Sequence, residues 1–161
     1  MKRLVLIISM IWLCLPIWAG IHSYAENSVL RKGKIIKIRV SETGVHCIPY
    51  DTLKSWGLQP EQVRVLGYGG NMLSENFLLK KWDDLPSVAF YMHKGSDNTF
   101  NSGDYILFYA RGAVKWEYSG GRWRHTQHPY SLYGYYFVSD SAGEQNLITK
   151  AEPLNGDGAY T

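Results

Sequence analysis

Four short stretches hold the side chains that could act as nucleophile, base or metal ligand. His46-Cys47 has the composition of a thiol with its base. The surrounding residues read as a strand, where neighbouring side chains point to opposite faces, so this imidazole does not serve this thiol. Cys47 is then a small buried hydrophobe or an idle thiol. His125 and His128 would meet on a metal only in a helical turn or tight loop, and the extended reading of the stretch into Pro129 makes them loop histidines. Asp97, Asn98, Asn101 and Asp104 supply the oxygens of a calcium loop. The glycine and closing glutamate of an EF-hand are misplaced, which leaves local Asx-turn bonding. Asp83-Asp84, before Leu85-Pro86, reads as a turn without a pocket for acid–base work. No catalytic, metal or cofactor-binding residue is assigned, and no cofactor is expected.

Two further patterns invite a binding function. Gly67, Gly69 and Gly70 resemble the start of a dinucleotide fingerprint, but Leu73 stands at the third glycine position and no helix follows, so a turn needing positive φ is expected. The aromatic group Trp116, Tyr118, Trp123, Tyr130, Tyr133, Tyr135 and Tyr136 either stacks on sugar rings from an exposed face or fills a β core.

The elements that must position these residues are mostly strands. The densest apolar segment after the N-terminus is Tyr105–Tyr109 (YILFY), bounded by turn residues. It reads as a strand buried on both faces, with the alternating Val114–Tyr118 as its hairpin partner across Gly112. Gly33–Val40 alternates apolar and basic, with Ile36, Ile38 and Val40 on one face. Ser41–Gly44 turns the chain, Val45–Ile48 runs back, and Pro49 ends the strand. Tyr50–Leu58 is a short helix, capped by Asp51 or Thr52 and closed by Gly57, docking Leu53 and Trp56. Val63–Tyr68, Ser87–His93 and Gly134–Val138 are further strands, with Ser87–His93 pairing with the central hairpin. Residues 71–81 are irregular, Trp123–Tyr130 crosses in extended form, and Leu147–Thr149 forms an edge. The expectation is a mainly β protein, an antiparallel β-sandwich of about seven to ten strands with one short helix, preceded by a signal peptide.

The N-terminus carries that targeting signal. Lys2 and Arg3 precede an uncharged apolar run, Leu4–Ile21, and Ser23-Tyr24-Ala25 offers small residues for cleavage after Ala25. A retained membrane anchor is the rival reading, opposed by Pro16 and the small-x-small site. Bulky Leu13 before Cys14 argues against a lipoprotein signal. Loss of Lys2 and Arg3 leaves 15 basic residues against 14 acidic, so charge gives no reason to expect nucleic acid. Cys47 would remain alone, without an internal disulfide, and the core must carry stability. The domains expected are a signal peptide at 1–25, a β-sandwich at 26–150 and a linker start at 151–161, the last pointing to a longer protein.

The order of motifs resembles a known family. KIIKIRVSETGVHCIPYDTLKSWGL (34–58), VRVLGYGGNML (63–73), the DDL before the Val88 strand, FNSGDYILFYARGAVKW (100–116) and HPYSLYGYYFV (128–138) are similar, in this order, to the N-terminal region of secreted gingipain-like cysteine peptidases. They are most similar to the PorU-like sortases of the type IX secretion system. The resemblance covers about Lys34 to Val138. It implies a non-catalytic β-rich N-terminal domain ahead of a caspase-like domain whose Cys and His cleave C-terminal signals from cargo and transfer the cargo to a lipopolysaccharide anchor at the cell surface. It implies as partners that downstream peptidase domain and outer-membrane type IX components, and an exported location in the periplasm or at the cell surface. No catalytic residue carries over, because His46 and Cys47 occupy variable positions of the opening motif. Structural positions do: Thr43-Gly44, Tyr50, Leu53, Gly67, Gly69, Gly70 and Gly103-Asp104-Tyr105. A free-standing secreted glycan-binding module is the alternative, and a line of exposed coplanar rings would favour it; burial of Trp116, Tyr136 and Phe137 would favour the sortase domain. A third reading, an enzyme acting through His125 and His128, needs both imidazoles near a carboxylate or Cys47.

Overall fold

Alternation of apolar and charged residues places β1 (Ile35–Val40) with Ile36, Ile38 and Val40 inward and Lys37 and Arg39 outward. The structure, a computed structural model, describes residues 24–149 except Glu75, Phe77, Leu78, Lys80 and Lys81. The expected signal peptide and linker thus lie outside the described residues, apart from Tyr24 and Ala25. Beyond β1 come β2 (Gly44–Pro49), β3 (Arg64–Gly69), β4 (Ser87–Val88), β5 (Phe90–His93), β6 (Tyr105–Ala110), β7 (Val114–Ser119), β8 (Arg122–Gln127) and β9 (Gly134–Ser139). One α-helix, α1 (Tyr50–Ser55), and two single 3₁₀ turns complete the described elements. The protein is mainly β, with antiparallel sheets and one short helix, as expected.

Two sheets face each other. The larger has the order β1-β9-β3-β4 and the smaller β2-β6-β5, while β7 and β8 pair only with one another. The inward residues of both sheets make one core: Val40, Val65, Tyr136 and Val138 from the larger, Ile48, Phe90, Ile106 and Phe108 from the smaller. Phe108 and Tyr136 meet edge-to-face across it at 5.6 Å.

The pairing departs from the sequence reading at its centre. Tyr105–Ala110 does not form a hairpin with Val114–Ser119; it lies between β2 and β5. Nor is it buried on both faces: Ile106, Phe108 and Ala110 are buried, while Tyr109 is exposed. The three residues Arg111–Ala113 would suffice for a hairpin, but Arg111 and Gly112 are bonded instead to Gly70, Tyr136 and Thr43, and the chain leaves the sandwich there. The strand placed at Trp123–Tyr130 as a lone extended crossing is β8, the true partner of β7. Ser41–Thr43 does reverse the chain, but β1 pairs with β9 and β2 with β6, so the turn crosses between sheets. Ser87–His93 is split likewise: β4 pairs with β3, and β5 with β6 as expected.

The helix needs no side-chain cap. Pro49 occupies the N-cap position, Asp51 instead accepts from the Ser102 hydroxyl at 2.9 Å, and Tyr50 N–H is satisfied by the Asp104 carbonyl at 2.8 Å. Gly57 closes the helix at φ 69°, and Leu58 folds back, its N–H on the Leu53 carbonyl at 3.2 Å. Leu53 is fully buried, whereas Trp56 is only half-buried. Gly67 and Gly69 have the positive φ expected, but within β3, where the register with β9 shifts in a bulge. Leu147 makes a parallel bridge to Phe90, the edge contact expected near the C-terminal end of the described chain.

Candidate functional site

The β7–β8 hairpin owes its shape to Gly120-Gly121. Both have positive φ (60° and 75°), as a two-residue type I′ turn demands, and a six-pair ladder follows without a slip. Register then sorts the side chains. Val114, Trp116 and Tyr118 oppose Gln127, His125 and Trp123 on one face; Lys115, Glu117 and Ser119 oppose Thr126, Arg124 and Arg122 on the other. The aromatic face is bare: Trp116, Tyr118 and Trp123 are 59%, 63% and 66% exposed. Its rings pair across the strands, Trp116 with His125 at 4.9 Å and 44°, Tyr118 with Trp123 at 5.4 Å and 58°. These tilts give a staggered row and no coplanar platform.

The hairpin leaves the sandwich at a junction where the main chain of Arg111 and Gly112 is held on both sides. Arg111 N–H donates to the Tyr136 hydroxyl at 2.8 Å, and the Arg111 carbonyl accepts from Gly70 N–H at 2.9 Å. Gly112 N–H donates to Thr43 Oγ1 at 3.0 Å. Burial pushes the Tyr136 phenol up, against the opposing pull of the Arg111 N–H and guanidinium.

Between the polar face of the hairpin and a wall that includes Tyr68, Gly70–Ser74, Asn76 and Trp82 lies a cleft of about 740 Å³. One wall is mixed, with polar Asn71, Ser74 and Asn76 beside Tyr68 and Trp82, whose ring centroids lie 6.2 Å apart and tilted by 55°. The other carries Arg111, Lys115, Thr126 and His128. Gly70 and Ala113 line it as well. No aspartate or glutamate is among its described lining residues. Tyr68 is held by a hydrogen bond from its hydroxyl to the Asp84 carbonyl, and its ionisation is pushed up by burial and by the charges of Asp84 and Asp83. His128 Nδ1 accepts from Tyr130 N–H at 3.2 Å, which in the neutral ring leaves the proton on Nε2. Lys115 pairs with Glu117 at 2.5 Å, the one ion pair among the described residues.

The residues singled out from sequence lie apart from one another. Cys47 is exposed on the outer face of the smaller sheet, not buried. His46 points the other way, its ring 6.0 Å from Phe108 and its Nε2 3.1 Å from the Glu42 carbonyl oxygen. His125 lies on the aromatic face with Trp116, whereas His128 lines the cleft against Tyr130, so the two are not brought together. The Asp97–Asp104 oxygens serve their own loop. Asp97 accepts from Thr99 N–H at 3.0 Å and Asn101 Nδ2 at 2.8 Å, and Asp104 from Asn101 N–H at 2.8 Å, with Asn98 at φ 56°. The first two bonds hold the Asp97 carboxyl below its ordinary range. Asp83 and Asp84 form a tether: Asp83 accepts from Ala25 N–H, and Asp84 from Val29 N–H, the Ser28 hydroxyl and Leu85 N–H. Of the aromatic group, Tyr136 is buried, Tyr133 is half-buried, and Tyr130 and Tyr135 are exposed like the hairpin rings; Phe137, named with Tyr136 as a discriminator, is half-buried. Tyr133 and Tyr135 carry Arg39 and Lys37 over their rings at 4.8 and 4.1 Å. The sequence reading missed Tyr68, Trp82, Arg111 and Lys115; the only signal was the Arg111-Gly112 break, read there as a tight turn.

No protein-family model matches this chain, and no curated protein matches it. Among solved structures it is similar to dimeric latent PorU from Porphyromonas gingivalis, with 33% identity and a TM-score of 0.66. The similarity covers 80% of this chain and 11% of that one, so the chain spans about a tenth of the length of its structural neighbour. At this identity and score, the fold of the chain is PorU-like.

Proposed function

We propose that this chain is the non-catalytic N-terminal domain of a PorU-like type IX secretion sortase. The observation that carries this is the 33% identity to PorU over 80% of the chain, combined with a matching fold. The motif order from Lys34 to Val138 agrees with it. In this reading, residues 1–25 direct export and are removed, and the sandwich at 26–150 packs against a downstream peptidase domain or docks to outer-membrane type IX components. The cleavage of C-terminal cargo signals and the transfer of cargo to the cell surface belong to that downstream domain. Cys47, exposed and the one cysteine among the described residues, with the adjacent imidazole on the opposite face, fits a supporting role. Among the described residues no helix is long and apolar enough to cross a membrane.

A graft tests the proposal. Residues 26–150 replace the matching segment of P. gingivalis PorU, and maturation of secreted cargo is followed. Retained maturation supports the reading; a chimera that is exported and protease-resistant but leaves cargo unprocessed counts against it. A second reading, a free-standing glycan-binding module, has one observation in its favour, the bare rings of Trp116, Tyr118, Trp123 and Tyr130. Their tilt denies it the flat platform that sugar stacking uses.

A further inference from the structure

We propose that the outer edge of β7 binds an extended acidic peptide segment of a partner protein, taking it up as a third strand of the hairpin. The two-residue turn decides which main-chain groups face that edge. In such a hairpin the residues flanking the turn, here Ser119 and Arg122, exchange hydrogen bonds, and bonded pairs alternate with unbonded ones along the ladder. Lys115 and Glu117 therefore turn their N–H and C=O groups toward β8. The Ala113 carbonyl, accepting from His128 N–H at 2.7 Å, keeps the same parity. Val114, Trp116 and Tyr118 turn theirs the other way, where β7 has no second strand beside it and no described residue bonds to them. Every described strand is already paired in a sheet, so the complement to this edge comes from outside the domain.

The edge borders a groove of about 300 Å³. Three consecutive β7 residues, Val114, Lys115 and Trp116, line it, as an edge does and a single face does not. An unpaired edge accepts main chain of any sequence, and the side chains around it select the sequence. Tyr109 and Trp116, both lining the groove, are 53% and 59% exposed and offer their rings to an apolar side chain. Lys115 is already paired with Glu117, which leaves Arg111 as the lining cation without an ion-pair partner among the described residues. No carboxylate is among the described lining residues, and the planar fork of Arg111 suits one. The main chain of Arg111 is fixed by its bonds to Tyr136 and Gly70, so the fork is carried on a rigid base. The fitting partner segment alternates apolar residues with polar ones and carries a glutamate or aspartate for Arg111. This inference does not depend on the sortase reading.

Amide NMR titration of the full chain with the acetylated, amidated hexapeptide TVEVTV tests it. Saturable binding is expected, with the Val114, Trp116 and Tyr118 amides shifting most and those of Lys115 and Glu117 keeping their protection. N-methylation at every second peptide residue is expected to abolish binding, and N-methylation at the intervening residues to leave it, because only alternate amides face the edge. Val114→Pro removes one outward donor but no ladder bond, and is expected to weaken the peptide about fivefold or more. TVEVTV is expected to bind about fivefold tighter than TVQVTV, and Arg111→Gln to erase that difference. Retained protection of the Lys115 and Glu117 amides in both variants separates loss of the site from loss of the hairpin. The proposal is overturned if the two N-methylated series bind alike, if TVQVTV binds as tightly as TVEVTV, or if Val114→Pro with an intact ladder binds normally. It is equally overturned if no peptide binds at millimolar concentration, or if sedimentation shows the edge taken by a second copy of the chain.

Discussion

Tyr136 and Arg111 lock the two sheets together: the phenol at the centre of the larger sheet accepts the N–H of the residue that follows the last strand position of β6, at 2.8 Å. Tyr136 is buried and its ring abuts Phe108 from the smaller sheet. Tyr136→Phe keeps the ring and strands the Arg111 N–H. Its expected cost is about 1–3 kcal/mol in urea unfolding. Tyr136→Ala removes the ring too, and the expected loss rises to about 3–5 kcal/mol. Equal stability of Tyr136→Phe and wild type would mean the bond does not hold the junction.

Gly70 marks how closely the same junction is packed. A Cβ there would lie 2.0 Å from the Gly112 carbonyl oxygen, and the obstructing atoms are backbone, which cannot swing aside. Gly70→Ala is therefore expected to cost about 1–3 kcal/mol, toward the upper end. Gly44→Ala is the control, since nothing lies within 4 Å of its Cβ; it should change stability by less than about 0.5 kcal/mol.

The hairpin is a separate unit of stability. Its strands pair with neither sheet, and an isolated two-stranded ribbon is marginal in water. Trp123→Ala removes the Tyr118 contact and should cost the hairpin about 0.5–1.5 kcal/mol. Hydrogen exchange is expected to quicken at β7 and β8 amides alone, with global unfolding little moved. Phe108→Ala, in the core, should instead lower global stability by about 3–5 kcal/mol.

Asp84 makes the N-terminal segment sensitive to acid. Partial burial pushes its carboxyl up, but hydrogen bonds from Val29 N–H, Leu85 N–H and the Ser28 hydroxyl outweigh this and hold it below the ordinary value. A depressed folded-state value means the stabilisation is present above the unfolded value of about 4 and is lost as pH falls through the lower folded one. Amide signals of Ser28–Arg31 should therefore shift, and their protection relative to the free-peptide exchange rate should fall, below about pH 4. In Asp84→Asn they should exchange fast already at neutral pH and show no such acid transition.

Much of the fold was legible because period-2 patterns name strands directly. Ile36, Ile38 and Val40 face inward, Gly134–Ser139 is a strand, and Gly57 closes the helix where a left-handed residue was expected. Pairing was not legible, since alternation fixes which face of a strand is buried and not which neighbour it takes. Phe108 faces the core equally well whether its partner is His46, as in the structure, or a residue of β7. Adjacency in sequence favoured the wrong hairpin, and the short Arg111-Gly112 link concealed a change of sheet. The cleft was hidden for the same reason: Tyr68, Trp82, Arg111 and His128 converge only once β3, the end of β6 and the hairpin are placed. The Asp97–Asp104 loop was readable because Asx-turn bonding is local.

The account rests on the chain being a scaffold for chemistry located elsewhere. The most direct measurement is hydrolysis of cargo-type C-terminal peptides by the purified chain beside its Cys47→Ala variant, with reductant present. The account predicts the same background rate for both. Thiol-dependent turnover that disappears in Cys47→Ala would contradict it.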